Sequence, residues 1–174
     1  MDPAIRKICF TGMGTALFVV LTLCLQVPVF ENYYLCLGYI AMEVFCCSIG
    51  TASGTFVGTV GVILYCLLTG GLRGMPGWAA GNIVIGIALG LLFKRTRDRE
   101  MTFSVAAISV LVILAATAAG ILGVKSLVEH LLYAQPFPVR VLKNVYGFAA
   151  DAFVLIAALP VCRIVDRRVR ELAA

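Results

Sequence analysis

The chain alternates between long apolar runs and short polar segments. Six runs are long enough, and nearly free enough of charge, to be membrane spans: residues 8–27, 33–49, 51–69, 76–93, 102–124 and 144–162. Crossing a hydrocarbon core about 30 Å thick takes roughly 20 residues of apolar helix. Backbone polar groups cannot stay without partners in lipid, so each run is predicted to be a helix.

The composition supports this interpretation. Hydrophobic residues make up 61% of the chain and charged residues 13%, and the mean hydropathy is +1.02. Soluble domains typically contain about 45–50% apolar and about 25% charged residues. We therefore predict an all-α, multi-pass protein of the cell membrane, with one six-helix domain over residues 1–174. A signal peptide is the alternative for the first run, but further spans follow it instead of a soluble domain.

The basic residues predict the orientation. With the N-terminus in the cytoplasm, ten of the 14 Lys and Arg residues lie on the cytoplasmic side. The other four, on the outer side, are Arg73, Lys125, Arg140 and Lys143. Short cytoplasmic loops carry such an excess of basic residues, so both termini are predicted to be cytoplasmic. The net charge of +5 is then explained by the lipid bilayer, and no nucleic-acid partner is expected.

Polar residues inside the spans are the candidate site residues. Glu43 and Asp151 are acids within apolar runs, and such acids mostly face a cavity or a partner. Asn144 lies on the same helix face as Asp151, seven positions away, and Trp78 and Asn82 are four positions apart. These residues predict a ligand pocket that opens to the outside. The alternatives are a structural pairing of Asp151 or Glu43 with a Lys or Arg, or an acid that is kept neutral.

The predicted outer segments add further candidates. Arg73 is the only charge between the third and fourth spans, and Lys143 precedes the sixth. Either side chain could hold a carboxylate or a phosphate, while Tyr33 and Tyr146 could stack on a flat ring. Residues 125–143 are predicted to form a long outer loop that begins with a short amphipathic helix, and a loop of this length often acts as a lid.

Catalytic signatures are absent from the sequence. There is no Walker A loop, no H-E-x-x-H and no G-x-S-x-G. The seven cysteines form no C-x-x-C, and the single histidine has no cysteine at metal-ligand spacing. We therefore predict no metal site, no cofactor and no enzymatic activity. A lipid-modifying enzyme that uses the two acids as general acid and base would lack a His or Ser partner.

Small residues recur at a spacing of four, which allows helices to approach closely. Most of these pairs are predicted to pack inside the bundle. The pair in the first span, Gly12 and Ala16, is predicted to dock another membrane protein.

These features together resemble the substrate-binding S components of energy-coupling factor (ECF) transporters, the vitamin-uptake systems of prokaryotes. The size and the six-helix layout agree with that family. So does the small-residue motif, which lies within residues 11–17 of the first span. Residues 35–40 and 49–58 resemble the family's second-to-third helix region, and residues 142–145 resemble the polar start of its sixth helix.

The resemblance implies a vitamin-like ligand bound near the outer face. It also implies a transmembrane coupling subunit, docked on Gly12 and Ala16, and two cytoplasmic ATPases as partners. In that family the S component topples in the membrane to carry its ligand inward. Two alternatives remain open: a stand-alone proton-coupled carrier that uses Glu43 and Asp151, and a structural membrane subunit.

Overall fold

The computed structural model describes residues 3–25, 27–30, 33–97 and 99–173. Its elements form a helical bundle with one short hairpin. In chain order they are α1 (Pro3–Cys24), β1 (Val27–Phe30), β2 (Tyr33–Leu35), α2 (Gly38–Ser48), α3 (Thr51–Thr69), α4 (Met75–Thr96), α5 (Phe103–Thr117), a π-helical segment (Ala118–Lys125), α6 (Ser126–Tyr133) and α7 (Phe137–Ala173).

Five helical stretches of the described chain are long and apolar enough to cross a membrane, which confirms the predicted multi-pass helical bundle. They are Ala4–Cys24, Thr51–Thr69, Met75–Thr96, Phe103–Tyr133 and Phe137–Val169. The remaining apolar helix, α2, has 11 residues. At about 1.5 Å per residue it covers roughly half of the hydrocarbon core.

The second predicted span, 33–49, is wrong at its start. Residues 33–35 pair as strand β2 with β1, with Val27 opposite Leu35 and Pro28 opposite Tyr34. The first span also ends early, at Cys24 rather than at residue 27. Aromatic and β-branched residues in both segments favour strands over helix here. We call this side of the bundle the hairpin end and the opposite side, which carries Lys94, Arg95 and Arg163, the basic end.

The predicted long loop over 125–143 is also wrong. Helix α5 continues through the π-helical segment into α6, and only residues 134–136 interrupt the helices before α7 begins. The amphipathic helix expected at its start is present as α6. A π-helical turn inserts extra residues without ending the helix. Pro138 then occupies the first turn of α7, where its missing N–H costs nothing.

The sixth predicted span, 144–162, is the middle of a much longer helix. Helix α7 has 37 residues and contains Pro160. At about 1.5 Å per residue it is about 55 Å long, so it extends well beyond the hydrocarbon core. Its last turns are charged, and charged residues favour helix once they are outside lipid.

Small residues bring α2, α3 and α4 together. A Cβ added to Gly54 would lie 2.2 Å from the Cys46 sulfur, and one added to Gly90 would lie 2.3 Å from the Thr51 hydroxyl oxygen. Gly50 has a φ of 120°, which permits the tight turn between α2 and α3. The predicted internal packing of these glycines is therefore confirmed, and it leaves no space for larger residues between these helices.

Candidate ligand-binding site

A chain of hydrogen bonds joins α2, α3 and α4 near the hairpin end. The Trp78 indole Nε1 donates to the Tyr39 hydroxyl at 2.9 Å, and this hydroxyl donates to Asn82 Oδ1 at 2.7 Å. Asn82 Nδ2 in turn donates to the Gly58 carbonyl oxygen at 2.9 Å. That carbonyl can only accept, so it fixes the orientation of the Asn82 amide and therefore the direction of the Tyr39 proton.

Asp151 on α7 lies beside this chain. The buried Asp151 carboxyl group contacts the Tyr39 hydroxyl. Lys125 is close enough to interact electrostatically with this carboxyl group. A tyrosine hydroxyl carries one proton, and here that proton is directed to Asn82. Asp151 also lies within hydrogen-bonding reach of the Tyr39 hydroxyl, and its two carboxyl oxygens leave acceptor capacity for another group.

A second polar cluster joins α6 to α7. Buried Asn144 donates through Nδ2 to the Ser126 hydroxyl at 2.9 Å and to Glu129 Oε2 at 3.2 Å. Arg140 Nη1 lies 3.7 Å from the same carboxylate oxygen. Glu129 is buried as well, and a Cβ on Gly77 of α4 would lie 3.2 Å from its Cγ. The cluster therefore closes the bundle between α4, α6 and α7.

Four of the predicted site residues lie in these two clusters. The structure brings Trp78, Asn82 and Asp151 together and places Asn144 in the neighbouring cluster. Arg73 is exposed, with its guanidinium carbon 5.1 Å from the centre of the Tyr133 ring and its carbonyl accepting a hydrogen bond from the Tyr133 hydroxyl.

Two other candidates, Lys143 and Tyr146, are on the surface, and the side chain of a third, Tyr33, is not described. Lys143 is exposed, and so is Tyr146, with 44% of its surface accessible. The backbone of Tyr33 belongs to β2, but its side chain is outside the described part of the chain.

Glu43 is separate from the other candidates. It is fully buried, and its neighbour is the Cys162 thiol. Asp151 and Cys162 are far apart on α7, about 16 Å along the axis at about 1.5 Å per residue. The two intramembrane acids therefore do not form a pair.

In the part of the chain that the structure describes, the polar side chains expected to line an open pocket are buried. Asn82, Asn144 and Asp151 are all buried, and the two amides are bonded to neighbouring helices. Clefts of about 300 and 280 Å³ lie instead at the basic end, around Arg163 and Arg167. Ligand entry would therefore require the elements at the hairpin end to separate.

Sequence reasoning missed Tyr39, Lys125 and Glu129. Tyr39 lies in an apolar run where tyrosine is common, although a buried tyrosine hydroxyl usually needs a partner. Lys125 and Glu129 were assigned to a loop, and their position became clear only because the helix continues past residue 124.

The two faces of α1 differ. One packs against the bundle: a Cβ on Gly14 would lie 2.5 Å from the Phe45 ring. The other carries Gly12 and Ala16, which are exposed, and a Cβ on Gly12 would meet nothing within 4 Å. Large exposed residues, Ile8, Met13 and Leu17, surround this small-residue surface.

Sequence comparison with known proteins finds relatives in Streptococcus thermophilus. The UPF0397 protein of Streptococcus thermophilus strain ATCC BAA-491 / LMD-9 is 30% identical over 106 residues, which are 60% of this chain and 57% of that protein. The corresponding protein of strain CNRZ 1066 is 29% identical over the same length. The matching region thus spans little more than half of these relatives.

A family-level match covers nearly the whole chain. The model of the family described as "ECF-type riboflavin transporter, S component" matches residues 3–166. This range includes the hydrogen-bonded chain around Asn82, the cluster around Asn144 and the exposed face of α1. The chain therefore belongs to the family of S components of ECF-type riboflavin transporters.

Proposed function

We propose that this protein captures a small, water-soluble vitamin at the hairpin end and releases it on the other side of the membrane with the help of ATP-driven partner subunits. The observation that carries the proposal is the buried polar site built from Trp78, Tyr39, Asn82 and Asp151. Buried polar groups in a membrane bundle are costly and tend to mark a ligand path.

The chemistry of this site suits a flat heterocycle with an imide edge. The Asp151 carboxylate accepts an N–H, and the second amide hydrogen of Asn82 can reach a ring carbonyl, since the first is bonded to Gly58. Trp78 and Tyr65 meet edge to face at 5.8 Å and supply an aromatic wall. Riboflavin, which the family description names, has such a ring and is the first candidate ligand.

Opening the site requires movement of the contact between Arg73 and Tyr133. This contact joins the turn between α3 and α4 to α6, and it is exposed. An exposed cation–π contact contributes only about 0.5–1 kcal/mol, so it adds little to the cost of separating these segments. The polar cluster around Glu129 and Asn144 contributes the larger share of that cost.

A titration tests the ligand assignment. Protein purified without added ligand is analysed by native mass spectrometry and then titrated with riboflavin, with quenching of flavin fluorescence as the readout. We expect one flavin to bind per chain. An excess of another flavin should compete with riboflavin, whereas an excess of thiamine should not. A different co-purified vitamin would overturn the flavin assignment and leave the capture role intact. The absence of any small-molecule ligand would overturn both and favour a structural subunit.

The exposed face of α1 supports docking of a coupling subunit. Because nothing lies within 4 Å of a Cβ on Gly12, a larger side chain there leaves the bundle undisturbed but blocks close approach of another helix. We expect Gly12→Leu and Ala16→Leu to abolish uptake by the assembled transporter while ligand affinity in detergent stays unchanged. Ala107→Leu on exposed α5 is the matched control and keeps uptake. Normal uptake by the Gly12 variant would exclude this face as the docking surface.

The energy source separates this function from a stand-alone carrier. We expect the purified protein in liposomes to move no ligand down a proton gradient, because Glu43 and Asp151 do not lie together. Uptake should appear only when the coupling subunit and two ATPases are reconstituted with it. We also infer that the protein itself catalyses no reaction. Proton-driven uptake by the protein alone would establish the carrier instead.

A further inference from the structure

The basic end contains a cleft that the capture of a ligand at the hairpin end does not use. It has a volume of about 300 Å³, and it is lined by side chains from the last turns of α7: Arg163, Ile164, Arg167, Arg168 and Glu171. A second cleft of about 280 Å³ adjoins it and shares Arg163, Arg167 and Glu171.

Arg163 is held in place by α4. Its Nη1 donates to the Thr96 carbonyl oxygen at 2.9 Å, its Nη2 donates to the Thr96 hydroxyl at 2.6 Å, and its guanidinium carbon lies 5.7 Å from the centre of the Phe93 ring. Its Nε is buried and has no hydrogen-bond partner among the described residues. Thr96 accepts from two of the five N–H groups of this guanidinium, and a fixed guanidinium that lines a cleft is suited to an anion.

The acids near this cleft are already paired. Glu171 Oε2 lies 3.1 Å from Arg168 Nη1, and buried Asp166, beside the adjoining cleft, lies 3.5 Å from Arg97 Nη2. Glu100 lines only the adjoining cleft. The first cleft therefore has a net positive charge, which comes from Arg163 and Arg167.

Apolar surface continues from the cleft along α7. Ile164 lines the cleft with 63% of its surface exposed, and Val161, about one turn earlier, is 44% exposed. A soluble anion would leave this apolar surface uncovered, whereas the acyl chain of a lipid would cover it. Basic pockets between helices at a membrane surface are known to hold anionic lipid headgroups.

We propose that this cleft binds an anionic phospholipid, with Arg163 and Arg167 on the phosphate and Ile164 and Val161 along an acyl chain. The lipid would link α7 to the last turn of α4 through Arg163. The proposal does not depend on which ligand binds at the hairpin end.

Lipid retention in native mass spectrometry tests it. The protein is titrated with phosphatidylglycerol or phosphatidylcholine in detergent. We expect selective binding of phosphatidylglycerol, about tenfold weaker in Arg167→Gln because one charged hydrogen bond is lost. Arg95→Gln removes the same charge from an exposed position of α4 outside both clefts, and it should bind as the unaltered chain does.

Arg163→Lys keeps the charge but loses the planar fork, and it should also bind phosphatidylglycerol less tightly. Thermal unfolding in detergent shows whether each variant is folded. Equal losses in Arg95→Gln and Arg167→Gln, or equal binding of the two lipids, would overturn the proposal in favour of general surface charge. Displacement of the lipid by inorganic phosphate at equal concentration would overturn it in favour of a soluble-anion site.

Discussion

Helix α2 places two fully buried polar side chains four positions apart, and they differ in what surrounds them. The Tyr39 hydroxyl accepts from Trp78 and donates to Asn82. Neither oxygen of the Glu43 carboxyl, one turn further along, has an N–H or O–H partner among the described residues, and the Cys162 thiol beside it is a weak donor. The same helix therefore holds one satisfied polar group and one unsatisfied group.

This difference separates polar groups that hold the bundle together from those that do not. Hydrogen bonds between membrane helices contribute about 0.6 kcal/mol on average and up to about 1.7 kcal/mol. The Tyr39 chain connects three helices through such bonds, while Glu43 contributes none. Variants along this chain should therefore destabilise the protein, and variants at Glu43 should not.

Asn82→Leu should have the largest effect. It removes the acceptor of Tyr39 and the donor to Gly58 at a fully buried position, and it forces a branched side chain into the same space. We expect a loss of about 3 kcal/mol in the free energy of unfolding, together with loss of ligand binding. Thermal unfolding in detergent and flavin titration measure the two effects. A fully stable Asn82→Leu protein would contradict a structural role for the chain.

Asp151→Asn should act on binding rather than on folding. The two side chains have nearly the same shape, but the amide replaces one carboxyl oxygen, which can accept a ligand N–H, with an NH2 donor. We expect an affinity about 10- to 100-fold lower, because a buried ligand N–H that faces a donor is left without a partner, and an almost unchanged unfolding midpoint. Glu100→Gln, an exposed acid at the basic end, is the charge-matched control. If both variants bind equally well, Asp151 does not contact the ligand.

Tyr39→Phe tests the shared hydroxyl itself. It leaves the ring in the core but removes the partner of both Trp78 and Asn82. Because Trp78 is only half-buried, water can replace part of the loss. We expect about 1 kcal/mol of destabilisation, measured as a lower unfolding midpoint. No change would mean that packing alone positions Asn82.

Local signals in the sequence were sufficient for much of the fold. The third predicted span, 51–69, coincides with α3, because Gly50 and Gly70 both adopt positive φ and mark its ends. The hairpin at 27–35 and the helical continuation past residue 124 were missed. The π-helical segment depends on neighbours distant in sequence, such as Gly81, which approaches Gly120 closely. The hairpin was missed although its paired residues are close in the chain, because its residues are also apolar enough to continue a predicted span.

The candidate site shows the same limit. Asn82, Asn144 and Asp151 stood out as polar residues in apolar runs. Tyr39 did not, since its importance comes from partners more than 30 positions away on α4. Glu43 was a weaker candidate because it lies deeper in its predicted span, and the structure places it apart from the other candidates, beside Cys162 of α7.

Glu43→Met should have the smallest effect and is the sharpest test of the contrast on α2. Methionine fills a similar volume and removes a polar group that has no bonded partner, so the desolvation cost of that group disappears. We expect unchanged or slightly higher stability, within about 1 kcal/mol, and unchanged ligand affinity. Cys162→Ala, which alters the thiol beside Glu43, should leave ligand affinity equally unaffected. A marked loss of transport in Glu43→Met with normal ligand binding would show that the acid acts during the transport cycle, since neither folding nor capture would then explain it.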